Sequence, residues 1–183
     1  MKSKFKLCTI SFLSLMATTA HSESTGTINF VGSVTDTTCN VNVDGQGNDA
    51  VITLPTVPVD ELTRAGETTG RTEFQMVLSD CSVGDSGVDK VSAFFRNGST
   101  VDTFTGRLIN QTIDGAENVS IQLSDAQTFQ AIFVGAESQE KDNKYEDISE
   151  GSATLAYAVE YYAEGMATPG AVTSNVVYNL QYK

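Results

Sequence analysis

Apolar and polar residues alternate with a period of two along most of the chain. This alternation is typical of β-strands that bury one face, and no stretch has the i, i+3, i+4, i+7 spacing of an amphipathic helix. The sequence therefore predicts an all-β protein with little helix. The alternation is clearest in four sets: Ile28, Phe30 and Val34; Val119, Ile121 and Leu123; Leu155, Tyr157, Val159 and Tyr161; Val176, Tyr178, Leu180 and Tyr182.

Turn-forming residues separate these segments, at Asp44–Asn48, Arg64–Gly66, Gly84–Gly87, Asn97-Gly98 and Asp114-Gly115. Their spacing predicts a single β-sandwich of roughly seven or eight short strands. The Asn-Gly pair is typical of two-residue turns, so we expect a hairpin that joins the strand before it to the strand after it.

The charged run from Glu137 to Glu150 predicts a solvated loop. A calcium site is the alternative, because carboxylate and amide oxygens are the ligands that Ca²⁺ prefers. The spacing does not follow an EF-hand loop, and the central glycine is missing. We therefore expect no metal here. The oxygen ligands considered are Asp142, Asn143, Glu146 and Asp147.

The first 22 residues have the three parts of a secretory signal peptide. Lysines precede the apolar run Leu7–Ala17, and the small residues Ala20 and Ser22 occupy positions −3 and −1 of a cleavage point. The apolar run is about half of the roughly 20 residues that a membrane-spanning helix needs. We predict export with cleavage after Ser22, with Ala20 as the alternative.

Removal of this segment changes the charge and the available chemistry. It takes away three lysines and the only histidine, which leaves 8 basic and 23 acidic residues and a net charge of −15. Nucleic-acid backbones would be repelled by this charge. Without histidine, the mature chain cannot form a Ser-His-Asp triad, a Cys-His nucleophile or a His-ligated zinc site.

Two cysteines, Cys39 and Cys81, remain after Cys8 is removed with the signal peptide. In an oxidising compartment they most simply form one disulfide, which stabilises the fold by about 4 kcal/mol on the chain-entropy model. A redox-active pair would need closer spacing, such as Cys-x-x-Cys.

Neighbouring carboxylates such as Asp60 and Glu61, or Glu160 and Glu164, have the residue types of a glycosidase acid and base. Acidic residues are so plentiful here that such pairs arise by chance. We therefore predict no catalytic residue, no cofactor and no enzymatic activity.

Local patterns in a particular order resemble the type 1 class of fimbrial (pilin) subunits that the bacterial chaperone-usher pathway assembles. The resemblance covers nearly all of residues 23–183, and the combination is more specific than any of its parts. The patterns are Gly26–Val34 followed by Cys39-Asn40-Val41, then Leu78-Ser79-Asp80-Cys81, then Tyr161–Gly165 with Ala167-Thr168-Pro169-Gly170, and finally Val176–Tyr182 with a penultimate tyrosine.

The resemblance implies an incomplete immunoglobulin-like β-sandwich that lacks its last strand. The gap is a hydrophobic groove, filled in the periplasm by a chaperone strand and in the fibre by the N-terminal extension of the next subunit. The expected organisation is a signal peptide at 1–22, a donor-strand extension at 23–35 and a pilin domain at 36–183.

The resemblance also assigns the donor strand. From the residues alone, the segment that begins at Ile28 would be an ordinary first strand that pairs within its own chain. The family register relative to Cys39 favours a donor strand instead, with Gly32 passing a shallow part of the groove and Gly26 at the site where exchange with the chaperone starts. The expected donor residues are Gly26, Ile28, Phe30, Gly32 and Val34.

The C-terminus matches the family's chaperone-recognition motif. Gly170 is the 14th residue from the end, and Tyr182 is the second. The resemblance implies that the last strand borders the groove and pairs with the chaperone. An edge strand with free main-chain groups would favour such pairing. The expected residues are Gly170, Val176, Tyr178, Leu180 and Tyr182.

The function predicted from these features is that of a structural subunit of a surface fimbrium, exported through the periplasm, which polymerises head to tail and supports adhesion. The expected partners are copies of itself or related pilins, a periplasmic chaperone, an outer-membrane usher and a tip adhesin. A major shaft subunit is favoured over a minor linker. The alternative is a secreted β-sandwich module that binds a sugar or receptor through its loops.

Overall fold

The computed structural model describes residues 27–32, 34–83 and 87–183. It contains two compact units, Met1–Ser33 and Val34–Lys183. The predicted signal peptide, Gly26 and most of the predicted turn at Gly84–Gly87 lie outside the described residues. In the first unit, residues 27–32 belong to no helix or strand.

The second unit is a β-sandwich with antiparallel strands. Its described residues form two sheets, with strand orders β1-β2-β7-β5-β4 and β6-β3-β8. The helical elements among them are a 3₁₀-helix at Val59–Glu61 and the short helix α1 at Gln139–Asp142. The strands are β1 (Thr38–Val43), β2 (Thr68–Ser82), β3 (Lys90–Phe95), β4 (Leu108–Ile109), β5 (Val119–Asp125), β6 (Glu146–Asp147), β7 (Ala153–Ala163) and β8 (Tyr178–Tyr182).

The central strands of the larger sheet follow the predicted alternation. On β2, Phe74, Met76 and Leu78 are buried, and β7 pairs with β2 along most of its length. Met76 lies opposite Leu155, so both strands place apolar side chains on the same face. This face forms the main core, and the strands predicted at β5 and β7 are confirmed.

Tyr157 on β7 links the two sheets through the core. Its ring lies 5.8 Å from that of Phe74 and meets the Phe95 ring edge-on at 5.0 Å, a favourable aromatic geometry. Its hydroxyl accepts a hydrogen bond of 3.1 Å from the main-chain N–H of Ala93 on β3. Tyr157 therefore fixes the separation of the sheets while its polar atom remains bonded. The chain is an incomplete immunoglobulin-like sandwich, as the sequence predicted.

The predicted hairpin at Asn97-Gly98 is wrong. Both edges of β3 are already paired, one with β6 and the other with β8. After Arg96, whose N–H donates to the Val177 carbonyl at 2.8 Å, the chain leaves this sheet and forms β4 in the other one. The Asn-Gly pair is therefore part of a connection between sheets.

The prediction of a solvated loop from Glu137 to Glu150 is also wrong in part. Gln139 is 1% exposed, and its amide accepts a 3.0 Å hydrogen bond from the Phe95 N–H and donates a 2.9 Å bond to the Phe95 carbonyl. Further along, β6 pairs with β3, and Ile148 is fully buried. The charged residues surround a segment that covers one edge and the end of β3.

Two of the oxygen ligands considered for calcium are bonded within the protein. Asn143 donates to the Ala93 carbonyl at 2.9 Å, and Asp147 accepts bonds from both the N–H and the hydroxyl of Ser149. Within residues 27–32, 34–83 and 87–183, no group of three or more His, Cys, Asp or Glu residues is placed to hold a metal. No helix in these ranges is long and apolar enough to cross a membrane.

Replacing Gln139 with Ala should lower the free energy of unfolding by about 1–3 kcal/mol, because the buried Phe95 N–H would lose its partner and the Phe95 carbonyl would keep only its bond from the Gly135 N–H. Glu140→Ala, on the exposed face of the same short helix, is the matched control. Denaturant unfolding of the two purified variants measures the difference. Equal midpoints would show that the amide does not support β3.

Candidate functional site

β1 and β8 end the two sheets and do not pair with each other, so no strand among the described residues covers the core between their outer edges. Side chains, rather than a main-chain ladder, connect these edges. The Tyr182 hydroxyl accepts a 3.2 Å bond from the Cys39 N–H, and the Tyr178 hydroxyl donates a 2.8 Å bond to the Asn48 carbonyl. Each edge strand therefore has only one strand neighbour among the described residues.

Half-buried apolar side chains line this opening, which we call the open groove. The central core residues Leu78 and Leu123 are at most 1% exposed, whereas the side chains at the opening pack against the core and remain partly accessible. Apolar surface that is partly exposed beside unpaired main-chain edges can accept an extended segment. The residues of the open groove are Cys39, Val41, Ile52 and Leu54 on one side and Val172, Val176, Tyr178, Leu180 and Tyr182 on the other.

The C-terminal wall of the groove has a regular pattern. Every second residue from Val172 to Tyr182 is half-buried, although β8 itself begins only at Tyr178. Val176 precedes the strand but keeps the alternation. Burial raises the pKa of the Tyr178 and Tyr182 hydroxyls, so both remain protonated over a wider pH range.

The opposite wall includes residues that the sequence analysis missed. Ile52 and Leu54 belong to no strand, yet both are half-buried against the main core. Their spacing of two is the signal that could have identified them, but the run is short and ends at Pro55.

At one end, the groove meets a second apolar cluster that contains Leu62, Val119 and Ala163. A cavity of about 190 Å³ lies against this cluster. Val172 lines the cavity and packs against both clusters, so it connects the cavity to the groove.

The predicted disulfide between Cys39 and Cys81 is present. It joins β1 to the far end of β2, and Cys39 is itself a groove residue whose N–H bonds to Tyr182. The bridge therefore holds the edge strand β1 in place beside the groove.

Gly170 lies outside β8, in a segment that crosses the loop at Gly115. A Cβ atom on Gly170 would lie 2.3 Å from the Ala116 nitrogen and 2.5 Å from the Gly115 carbonyl carbon. Reciprocally, a Cβ on Gly115 would lie 2.4 Å from the Ala171 oxygen. Only glycine fits at this crossing, which positions the chain that leads into the groove wall.

The predicted donor residues are strongly exposed. Ile28 is 77% exposed, Phe30 91% and Val34 99%. A Cβ on Gly32 would meet no atom within 4 Å. Residues 27–32 and 34–37 form no strand, so in this structure the described part of the segment does not pair as a first strand.

Comparisons with known proteins place this architecture in a family. The family model of FimA, described as type-1 fimbrial protein, A, matches residues 54–183. The chain belongs to the type-1 fimbrial protein family. It is 43% identical to the major fimbrial subunit SMF-1 of Stenotrophomonas maltophilia, over 86% of this chain and 92% of that protein. It is 35% identical to the F17 fimbrial protein of Escherichia coli, over 100% and 99% of the two chains.

A solved structure supports the fold of this fimbrial subunit. The P pilus rod subunit PapA has a TM-score of 0.58 at 20% identity, over 79% of this chain and 99% of that one. The protein is a structural, non-enzymatic subunit of a surface fimbrium, as the sequence predicted.

Glu164, considered above as a catalytic carboxylate, has a structural role. Arg107 forms a two-point ion pair with it at 2.7 and 3.0 Å, and the Ser120 hydroxyl donates a further bond of 2.6 Å. The hydrogen bond from Arg107 lowers the pKa of Glu164, burial opposes it, and Ser120 adds to the lowering. A general acid needs a raised pKa instead. The Arg107 guanidinium also stacks 3.8 Å over the Tyr162 ring.

Replacing Gly170 with Ala should destabilise the folded fimbrial subunit by about 1–3 kcal/mol, because main-chain atoms of the facing loop cannot move aside without strain. Gly98→Ala is the matched control, since a Cβ there meets nothing within 4 Å. Unfolding is measured without any chaperone. If both variants match the wild type, the crossing at Gly115 does not limit stability.

Because the pKa of Glu164 is lowered on folding, its ionised form stabilises the native state. This contribution is present above the ordinary glutamate pKa of 4.5 and is lost as the pH falls through the lower pKa of the folded state. Glu164→Gln should therefore be less stable than the wild type near neutral pH, by less than about 1 kcal/mol given solvent screening. The difference should shrink in acid. A constant difference across a pH series of thermal unfolding curves would contradict this role.

Proposed function

We propose that this fimbrial subunit polymerises head to tail by donor-strand exchange, in which residues 23–35 of one subunit fill the open groove of the next. The proposal is supported by two complementary surfaces in the same chain, one exposed and apolar and the other a groove. Ile28, Phe30 and Val34 are exposed apolar side chains, and the groove offers half-buried apolar side chains between two free strand edges.

The donor side has enough apolar surface to drive association. Burying Ile28, Phe30 and Val34 is worth on the order of 1.5–3 kcal/mol each, or about 5–9 kcal/mol together before the cost of ordering the strand. In an extended donor strand, the sequence positions of Gly26 and Gly32 would fall on the same face, where the absence of a side chain would allow close approach of the main chains.

The acceptor side can add main-chain hydrogen bonds to this apolar gain. β8 uses one edge to pair with β3, in the register Leu180 to Ala93, and its other edge ends the sheet. A donated strand there would extend the smaller sheet and cover Val176, Tyr178 and Leu180.

A periplasmic chaperone would occupy the same groove before polymerisation. The chaperone-binding segment that we propose is the groove wall of Val176, Tyr178, Leu180 and Tyr182. Gly170 would act indirectly, because its crossing with Gly115 positions that wall. An outer-membrane usher would then receive the subunit after export through the periplasm, directed by the signal peptide at 1–22.

Donor and acceptor surfaces differ, so the association is heterologous and gives an open filament rather than a closed ring. The other subunits would be copies of this chain or related pilins, with a tip adhesin at the end of the same fibre. We assign this subunit to the shaft, because the 43% identical protein of Stenotrophomonas maltophilia is a major fimbrial subunit. The pilin domain would then be residues 36–183.

Replacing Phe30 with Asp should abolish fibres while leaving export and the disulfide intact, because a buried unpaired carboxylate would oppose strand insertion. Val31→Asp is the matched control. Val31 is also almost fully exposed, at 98%, but in an extended donor strand it would face away from the groove. Fibres sheared from producing cells are analysed on a denaturing gel, first unheated and then boiled in acid.

Wild type and Val31→Asp should give high-mass species that collapse to one band after boiling in acid, whereas Phe30→Asp should give only monomer. Normal fibres from Phe30→Asp would overturn the donor assignment. Monomer from the wild type under both conditions would favour the secreted binding module instead.

A further inference from the structure

The Asn97-Gly98 pair forms no hairpin, but its geometry favours a chemical modification of the asparagine. The Gly98 N–H donates a 2.9 Å hydrogen bond to Oδ1 of Asn97, its own neighbour. This places the Gly98 main-chain nitrogen next to the Asn97 side-chain carbonyl carbon. We propose that Asn97 is a site of spontaneous deamidation and that its conversion loosens the wall of the open groove.

The reaction uses only water and the chain itself. The Gly98 nitrogen loses its proton to hydroxide and attacks Cγ of Asn97, forming a new C–N bond. The bond from Cγ to Nδ2 breaks, and ammonia leaves after taking a proton from water. Water then opens the resulting five-membered succinimide at either carbonyl, which gives aspartate or isoaspartate and adds one negative charge.

Three local features favour this reaction at Asn97. Both residues of the pair are exposed, so water reaches the reacting atoms. A Cβ on Gly98 would meet no atom within 4 Å, so the attacking nitrogen is not crowded on the Gly98 side. The main-chain nitrogen is also free of any strand ladder, because residues 96–98 belong to no strand.

Asn110 shows the opposite situation within the same chain. Its Nδ2 donates to the carbonyls of Ala116 and Ala171, at 2.9 and 3.0 Å. Its Oδ1 accepts from the N–H groups of Thr112 and Thr173, both at 3.0 Å. The reacting amide is therefore held by four bonds, and Asn110 is an internal control that should keep its amide.

Asn97 lies next to two hydrogen bonds that hold the C-terminal wall of the groove in place. Arg96 N–H donates to the Val177 carbonyl at 2.8 Å, and the Thr100 hydroxyl donates to the Asn175 carbonyl at the same distance. These bonds hold the chain immediately before β8. In isoaspartate the main chain runs through Cβ and Cγ of residue 97. The main chain between Arg96 and Thr100 therefore becomes longer by one methylene group.

The neighbouring segment leaves little room to absorb that insertion. Gly135 packs so closely on Asn97 that a Cβ there would lie 2.8 Å from the Asn97 Cβ. The Gly135 N–H is bonded at 2.9 Å to the Phe95 carbonyl, at the end of β3. Displacement at Asn97 should therefore reach the segment before β8 rather than stop in the loop.

The first test is to age the purified subunit in mildly alkaline buffer and to follow its peptides by mass spectrometry. We expect the mass change of amide to acid at Asn97 and not at Asn110, with both aspartate and isoaspartate products. Gly98→Ala should slow the conversion roughly tenfold, about 1.4 kcal/mol in the barrier. A retained amide at Asn97, or equal conversion at both asparagines, would overturn the assignment.

The second test measures the consequence, by hydrogen exchange at the amides of Arg96 and of β8. Aged wild type should exchange faster there than fresh protein, and aged Gly98→Ala should not. Asn97→Asp adds the charge without the methylene and should resemble fresh protein. Unchanged exchange after full conversion would refute the link to the groove. Neither readout requires strand donation, so failure of the polymerisation proposal would be recognised separately.

Discussion

The dominant constraint on this molecule is that its two sheets share one core but do not close over it. β1 and β8 end their sheets on the same side, and among the described residues only side-chain bonds, from Tyr178 and Tyr182, link β8 to the β1 side. Apolar side chains at that opening are therefore left half-buried. A free strand edge beside exposed apolar surface is a liability in a monomer, and in a fimbrial subunit the same feature can serve assembly.

Contacts at the groove wall and away from it hold the two sheets around this opening. The Cys39–Cys81 bridge anchors β1, and Tyr157 spans the core between the sheets. The Gly170 crossing then directs the chain towards β8. The bridge and the crossing act on the edge strands β1 and β8, which lack a second strand neighbour among the described residues, whereas Tyr157 acts on the inner strands β2 and β3. The rest of the domain therefore supplies the rigidity that a complete sandwich would obtain from its last strand.

The candidate site was recognisable from sequence to the extent that its residues are close together in the chain. The alternation from Val176 to Tyr182 and that of the segment proposed as the donor, at Ile28, Phe30 and Val34, both have the period of two that marks one face of a strand. Ile52 and Leu54 were missed because two alternating residues before a proline are too short a signal. Gln139 was missed because a charged run hides one buried amide.

The sequence by itself determined the class of fold, the disulfide and the family, because period-two alternation, cysteine number and ordered local patterns are properties of neighbouring residues. Tertiary structure decided the pairing of strands and the roles of single residues. Asn97-Gly98 has the local chemistry of a hairpin, but β6 and β8 already occupy both edges of β3. Gly170 is required by a main-chain contact with a loop more than fifty residues away. Such long-range contacts depend on how the sheets pack, which no local pattern encodes.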